Sequence, residues 1–574
     1  MRGRLIFESG VYSVLILSIL FVFSGCERKV QDSESIVKVH LVSQPESLHP
    51  YEHISKTAAH IVKHIYQPLV DVDYRSAQMV PVLAASLPEI LPFNDTSQYL
   101  IFDIRKEAAW EDGISVTARD VEFSIKVILN SLHKKSVRSI STDYLLGFER
   151  SETDNKKCSI LVHSSHMGSL ESLTSLYILP KHILDPEGFS DNSSITMLKT
   201  KNAKPLNFNF GKDFGSSKGA NRLIGSAPYK VLSWENKKEI TLVAKRNWWG
   251  KETEHNHYFE CGVERIKYVI QKDVDLALSA LLLGQLDVMV LAGAEKISDL
   301  EMSQVFLNEF EVYSPIKHCY TYLGFHLKDE VLKQKIVREA MDLAIDKDRM
   351  IDKILGGYGS RIIGPLHPLN TFYNKSIKEE SFNVQRANAL LDEEGWLDLD
   401  GDGYRSKILG GKLTDLSFKL SFAKNNINRK LGEYIKEAFN TIGIKILLQE
   451  LELNSFLALN KVHDFEILLN SVHTNPVYFD PKYRWHTEAY FNGGLNWTGF
   501  GSPYTDGLID EICSSSSKRM TQELLNEFQE ILQERKPCSF LFAPQYKLII
   551  SKKIMSPNVS SIGLGFWESS MVSQ

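Results

Sequence analysis

Several stretches of this sequence hold residue types able to bind a metal. Asp398-Leu-Asp400-Gly-Asp402-Gly403 places acids at positions one, three and five and glycine at six, as a calcium loop begins. Position twelve, where a bidentate glutamate completes such a loop, is Leu409, so the stretch reads as a tight polar turn. His255-Asn-His257 offers two imidazoles without a third ligand and reads as a solvated loop. Cys158, Cys261, Cys319, Cys513 and Cys538 are far apart and form no Cys-x-x-Cys pair, which argues against a zinc or redox site. They read as buried free thiols, with one bridge allowed in an oxidising compartment. The motifs His-Glu-x-x-His, the P-loop and Gly-x-Gly-x-x-Gly are absent. Gly499-Phe-Gly501 lacks the third glycine and does not open a helix. The expectation is a binding protein, not an enzyme, with no cofactor and no metal.

The 574 residues are 43% hydrophobic and 24% charged, the balance of a folded chain with a large core. The length predicts about three to five domains or subdomains. Net charge is -5 and basic residues cluster in adjacent pairs at most, so no nucleic-acid partner is expected.

The N-terminus runs from Met1-Arg2-Gly3-Arg4 through an apolar stretch, Val11 to Phe23, to Ser24-Gly25-Cys26. That order is a bacterial signal peptide, and the apolar run is short for a membrane span. The end resembles a lipobox, with Phe23 where leucine is usual. Cys26 is therefore the expected lipidation site and first mature residue, followed by a polar tether to about Ser35.

Strand and helix signals are mixed along the rest. Val37–Val42 and Gln98–Arg105 read as strands, and Tyr229–Trp234 with Glu239–Lys245 as a hairpin. Ala58–Tyr66 is helical, and a capping box at Thr117-Ala-Arg-Asp120 opens another helix. Asp273–Leu283, Val337–Ile354, Arg386–Glu394, Leu431–Phe439 and Thr521–Arg535 are helical, with Gly284 and Gly356-Gly357 as stops. Phe540–Ile550 reads as strand interrupted at Pro544. The segment from about Phe189 to Ala220, with Phe208, Phe210 and Phe214 among Ser, Asn, Lys and Gly, reads as a connector or long surface loop. The fold class is α/β, or mixed α+β.

Several motifs occur together and in order: Ile65-Tyr-Gln-Pro-Leu-Val70, Trp110-Glu-Asp-Gly113, Val116-Thr-Ala-Arg-Asp-Val121 and Ile224-Gly-Ser-Ala-Pro-Tyr-Lys230. Asn247-Trp-Trp-Gly250, Gly284-Gln-Leu-Asp287, Gly356-Gly-Tyr358, Gly395-Trp396, Asn496-Trp-Thr-Gly499 and Leu508-Ile-Asp510 follow. The series resembles the extracellular solute-binding family of ABC importers that includes oligopeptide-, dipeptide- and nickel-binding proteins. The resemblance implies a two-lobed periplasmic-binding-protein fold with an inserted subdomain and a hinge. It divides the chain into signal peptide 1–25 and tether 26–35. Lobe one comprises 36–70, an inserted subdomain 71–195, a middle segment 196–312 and a final segment 538–574. Lobe two is 313–537. Crossings are expected near Tyr313–Tyr322 and Pro537–Phe542.

The resemblance also implies where ligand sits. Relatives that bind peptides hold the ligand amine with an acid just before an acid-Pro pair. Here Asp480-Pro481 is present, but Val477, or Asn475 in a slipped register, stands where the acid is expected. The expected ligand-binding residues are Tyr144, Tyr320, Tyr322, His473, Trp485, His486, Asn496 and Trp497, which offer stacking faces and hydrogen-bonding groups. The implied partners are a peptide or related small solute, ABC permease subunits and the membrane through a lipid anchor, with the protein a monomer in the periplasm or outer cell envelope. A ligand sensor signalling to an envelope partner is the alternative on the same fold, and an envelope hydrolase the alternative of another class.

Overall fold

In a computed structural model, the described residues are 35–572 apart from 53–54, 95, 131–143, 164–167, 201–205, 207, 209, 211–212, 254–255, 292–302, 379–380, 476–478 and 516. Cys26, His255 and Val477 lie outside them. Two large sheets organise the chain. The first has the order Phe310–Tyr313, Lys547–Ser551, Val288–Leu291, Ile36–Leu41, Arg265–Ile270, Glu239–Ala244, Tyr229–Glu235. The second runs Gly359–Arg361, Cys538–Pro544, Cys319–Phe325, Ile467–His473, Ser417–Ala423, Lys445–Leu451. A separate antiparallel sheet of Glu89–Asn94, Ser97–Asp103, Lys157–His163 and Leu145–Arg150 lies within 71–195. The result is the mixed α/β, two-lobed architecture expected.

The chain passes from the first sheet to the second between Phe310–Tyr313 and Cys319–Phe325. It returns between Cys538–Pro544 and Lys547–Ser551. The second crossing is thus at Gln545-Tyr546, later than the boundary at 537–538. Strand Cys538–Pro544 pairs with Cys319–Phe325 and so belongs to the second lobe. Pro544, which has no N–H to extend the ladder, ends that strand where the chain changes sheets.

Local signals explain many elements. The Thr117 backbone N–H donates to the Asp120 carboxylate at 2.8 Å, the reciprocal half of a capping box. The hairpin Tyr229–Glu235/Glu239–Ala244 turns through Lys237 at φ 60°. One expected helix, Val337–Ile354, is two: Lys335–Leu343 and Lys347–Leu355. Asp346 breaks it because its carboxylate accepts the Arg349 backbone N–H at 3.0 Å and starts a new helix. The bend lets Val337 and Met341 of one helix and Met350 and Ile351 of the other enter one core.

Within the Phe189–Ala220 segment, Phe208, Phe210 and Phe214 are held by packing. Phe210 and Phe214 are buried, with ring centroids 4.8 and 5.2 Å from that of His49, and Phe208 meets Phe123. His257 is also not solvated: it is fully buried, with Nδ1 2.9 Å from an Asp73 carboxylate oxygen. Among the cysteines, all five described are free, and Cys261 is exposed where a buried thiol was expected. No helix among the described residues is long and apolar enough to cross a membrane.

Candidate ligand cleft between the two sheets

Strand Cys319–Phe325 is buried along its whole length, between two antiparallel neighbours. Its side chains alternate. Tyr320 and Tyr322 point into one apolar core, with Val472, Phe540 and Trp485. Leu323 and Phe325 point the other way, into a second core. On that same face, toward the crossing, Cys319 and Thr321 line an open cavity. The partner strand obeys the same rule. Register pairs Cys319 with His473 and Thr321 with Ser471, so His473 and Ser471 join the cavity floor. A bulge in strand Cys538–Pro544 sets Phe542 opposite Thr321 and brings it to the same floor.

The cavity measures about 840 Å³. Lys56, Leu291 and Lys547 reach it from the first lobe. Tyr358 and the first turn of helix Asn426–Asn440 reach it from the second, and Lys317, Gln545 and Tyr546 from the crossings. A further space of about 240 Å³ shares Lys56, His473 and Tyr546 and adds Lys63, Tyr74 and His318. Small-ligand sites occupy roughly 300–1,000 Å³, with apolar walls and a few placed polar groups. Leu291, Ile354, Leu355, Phe542 and Tyr546 supply such walls.

The polar groups are chiefly cationic or neutral. Lys56 Nζ donates to His473 Nδ1 at 3.4 Å, which requires a neutral ring protonated on Nε2. Burial, then the Lys56 charge, holds the His473 ring below its usual pKa. Burial likewise lowers His318 to about 3 and His367 to about 4, and those two rings lie 4.2 Å apart. Lys317 Nζ sits 4.7 Å from the Tyr546 ring centroid, and Lys547 Nζ 4.4 Å from that of Tyr358. Desolvation, then the neighbouring Lys56 charge, lowers Lys317. The Cys319 thiol is raised by burial more than the two lysines lower it, so it stays protonated and is a poor nucleophile. The arrangement can enclose and hydrogen-bond a solute.

Of the residues expected in the cleft, His473 lines it. Tyr320, Tyr322 and Trp485 are core residues, 2%, 5% and 3% exposed. Tyr144 is buried in the core that joins the inserted sheet to the first lobe. The His486 ring caps helix Thr487–Phe491 by accepting the Glu488 N–H. Asn496 donates to the carbonyls of His486 and Phe500, at 3.0 and 2.7 Å. Trp497 packs partly buried against the same core as Trp485. Apart from Tyr144, these side chains build the second lobe behind the cleft floor. The lysines, Tyr358 and Tyr546 escaped the sequence reading. The only local hint was position, since Lys56 opens a helix and Lys317 and Lys547 flank the crossings.

Among the described residues, two clusters have metal-ligand residue types. Asp398, Asp400 and Asp402 are exposed; Asp398 accepts the Gly401 and Gly403 backbone N–H groups, Asp400 that of Asp402, and Asp402 that of Tyr404, a polar turn. His60, His64 and Glu568 are buried with ligand atoms within 4.8 Å of one another. One Glu568 oxygen lies 2.7 Å from His60 Nε2 and 3.1 Å from His64 Nε2, so the trio fits as a hydrogen-bonded lock between helix Lys56–Lys63 and the C-terminal segment.

The description of bacterial extracellular solute-binding proteins, family 5 Middle, matches residues 78–492. The chain is 24% identical over 457 residues to the oligopeptide-binding protein AppA of Bacillus subtilis, covering 79% of this chain and 76% of AppA. It is 21% identical over 549 residues to the dipeptide-binding protein DppE of the same organism, covering 91% of each. The structure of AppA with a nonapeptide superposes with a TM-score of 0.66 at 21% identity, over 94% of this chain and 99% of that one. NikA from Brucella suis, in complex with Fe(III)-EDTA, superposes with a TM-score of 0.72 at 16% identity, over 94% and 100%. With two lobes joined by paired crossings and the family match spanning most of its length, this chain belongs to the bacterial extracellular solute-binding proteins of family 5.

Proposed function

We propose that this protein is the solute-capturing component of an ABC importer, taking a short peptide or peptide-like solute into the interlobe cleft and delivering it to a membrane permease. It acts as a monomer in the periplasm or outer cell envelope, held to a membrane through lipid on Cys26, and it catalyses no reaction. The observation that carries this reading is the cavity of about 840 Å³ walled by both lobes and by the two crossings. A ligand touching both lobes binds the closed arrangement better than an open one and so shifts the population toward it. The names of the relatives AppA and DppE support a peptide-like ligand.

The test is thermal unfolding of the soluble form beginning after Cys26, with peptides, metal chelates and oligosaccharides as additives. A ligand that binds only the folded state raises Tm by mass action, by about 2.7 kcal/mol of stabilisation at a hundred-fold excess over Kd. A shift with peptides is the expected result. A shift only with a sugar or a chelate would reject the peptide class and keep the cleft.

A further inference from the structure

We propose that the cleft selects a ligand of net negative charge, a short solute bearing acidic groups beyond a single carboxylate. The proposal rests on the cleft reading above and names its substrate class.

Lys56, Lys317, Lys430 and Lys547 all line the larger cavity, and no Asp or Glu lines it among the described residues. The protein as a whole carries a net charge of -5, so this accumulation runs against its composition. Two of the four carry the argument. Lys56 stands solvent-exposed at the cleft mouth on the first lobe, and Lys317 lies half-buried in the crossing. Among the described residues neither has a carboxylate partner: Lys56 meets a neutral imidazole, and Lys317 an aromatic face. Lys63, lining the adjoining space, shows the contrast, since its ammonium is 2.6 Å from the Asp71 carboxylate.

Gathering ammonium groups around a partly desolvated space is unfavourable until an anion enters it. The Lys56 charge disfavours the charged form of Lys317. An anionic ligand reverses that, and a cationic one worsens it. No arginine lines the cavity among the described residues. Lysine is a point charge without the planar fork that matches a carboxylate or phosphate in two places, so the site reads charge more than anion geometry. The first turn of helix Asn426–Asn440, whose N–H groups lack intrahelical acceptors, faces the same space and favours the same sign.

The experiment uses the full chain in detergent and measures Kd by calorimetry for triglutamate, trialanine, trilysine and a phosphoserine-containing tripeptide. Triglutamate is expected to bind at least about ten-fold tighter than trialanine, the ratio that one charged hydrogen bond supplies. Trilysine should bind weakest, and the preference should shrink as salt rises. The Lys56→Met/Lys317→Met double variant should lose the preference, read as the ratio of the triglutamate and trialanine Kd values within that variant. Lys56→Met alone, at an exposed position, should lose part of it and guards against a folding defect. If the phosphoserine peptide outcompetes triglutamate and depends on the same lysines, the anion is a phosphate and the proposal holds. Equal Kd for triglutamate and trialanine, no binding by either anion, or a ratio unchanged in both variants would overturn it. Ser471→Leu fills the cavity floor without changing charge and should weaken every ligand alike. If it weakens none, the cleft reading itself fails, independently of the charge proposal.

Discussion

The Glu568 carboxylate is fully buried, and burial alone would push its pKa up. His60 and His64 outweigh that and hold it well below the usual carboxylate range. The ring of His64 stacks on Trp567 at 4.1 Å, so the trio is packed as well as hydrogen-bonded. Glu568→Ala would leave two buried imidazoles without their acceptor and open space beside them. It is expected to destabilise by about 3 kcal/mol, read as a lower denaturant midpoint, because removing one partner of a buried charged set costs several kcal/mol. A stability equal to that of the parent would show that the trio contributes nothing net. His257 teaches a related lesson. In sequence it is one of two histidines in a polar run, and only its Asp73 partner, far away in the chain, makes it a core residue.

At the scale of the element, the strand pair Cys319–Phe325 and Ile467–His473 shows how a period of two decides function. Tyr320 and Tyr322 are the conspicuous residues, yet the pleat sends them to the core and gives the cleft Cys319 and Thr321. Tyr320→Phe is therefore expected to leave ligand affinity within about two-fold. Thr321→Leu, on the cavity face, removes the 2.8 Å hydroxyl contact with Ser471 and fills space. It should weaken binding by about ten-fold or more, since a steric intrusion of a few methylenes costs on the order of 1–3 kcal/mol. The reverse ranking by calorimetry would put the ligand on the other face. Helix starts were easier to read. Thr117 with Asp120 and the stop at Gly284, φ 70°, rest on residues within one turn of each other. The break at Asp346 was missed because apolar spacing continues across it, and a cap inside a periodic run is hard to distinguish from an exposed acid.

At the scale of the molecule, several buried or half-buried histidines report on acid. His64, His318 and His367 are all held below the usual imidazole pKa by burial, the last two to about 3 and about 4. Each binds a proton more readily when unfolded. Their contribution to stability is therefore present above the unfolded value near 6.5 and is lost as pH falls from there toward 4. For His318 the loss at pH 5 is at most about 2 kcal/mol. Tm should fall by several degrees between pH 7 and pH 5 and change little between pH 7 and pH 8. A flat profile from 7 to 5 would mean that these rings protonate without unfolding. Because His318 and His473 line the cleft, ligand affinity measured over the same range should be interpreted with this loss in view.

The sequence by itself determined the class of the molecule. Motif order gave the family, and local capping and alternation located most helices and strands. Those signals are carried by residues within a few positions of one another, where backbone geometry links sequence to structure directly. The tertiary structure alone decided the cleft. Lys56, Lys317, Lys430 and Lys547 come from four distant parts of the chain, and no spacing rule joins them. Which face of a strand meets the cavity depends on register and on a bulge opposite Thr321, both set by pairing with strands far off in sequence. The aromatic residues that stood out, Trp485 and Tyr322 among them, went to the core because a lobe must bury its largest apolar surfaces before it can hold a solute.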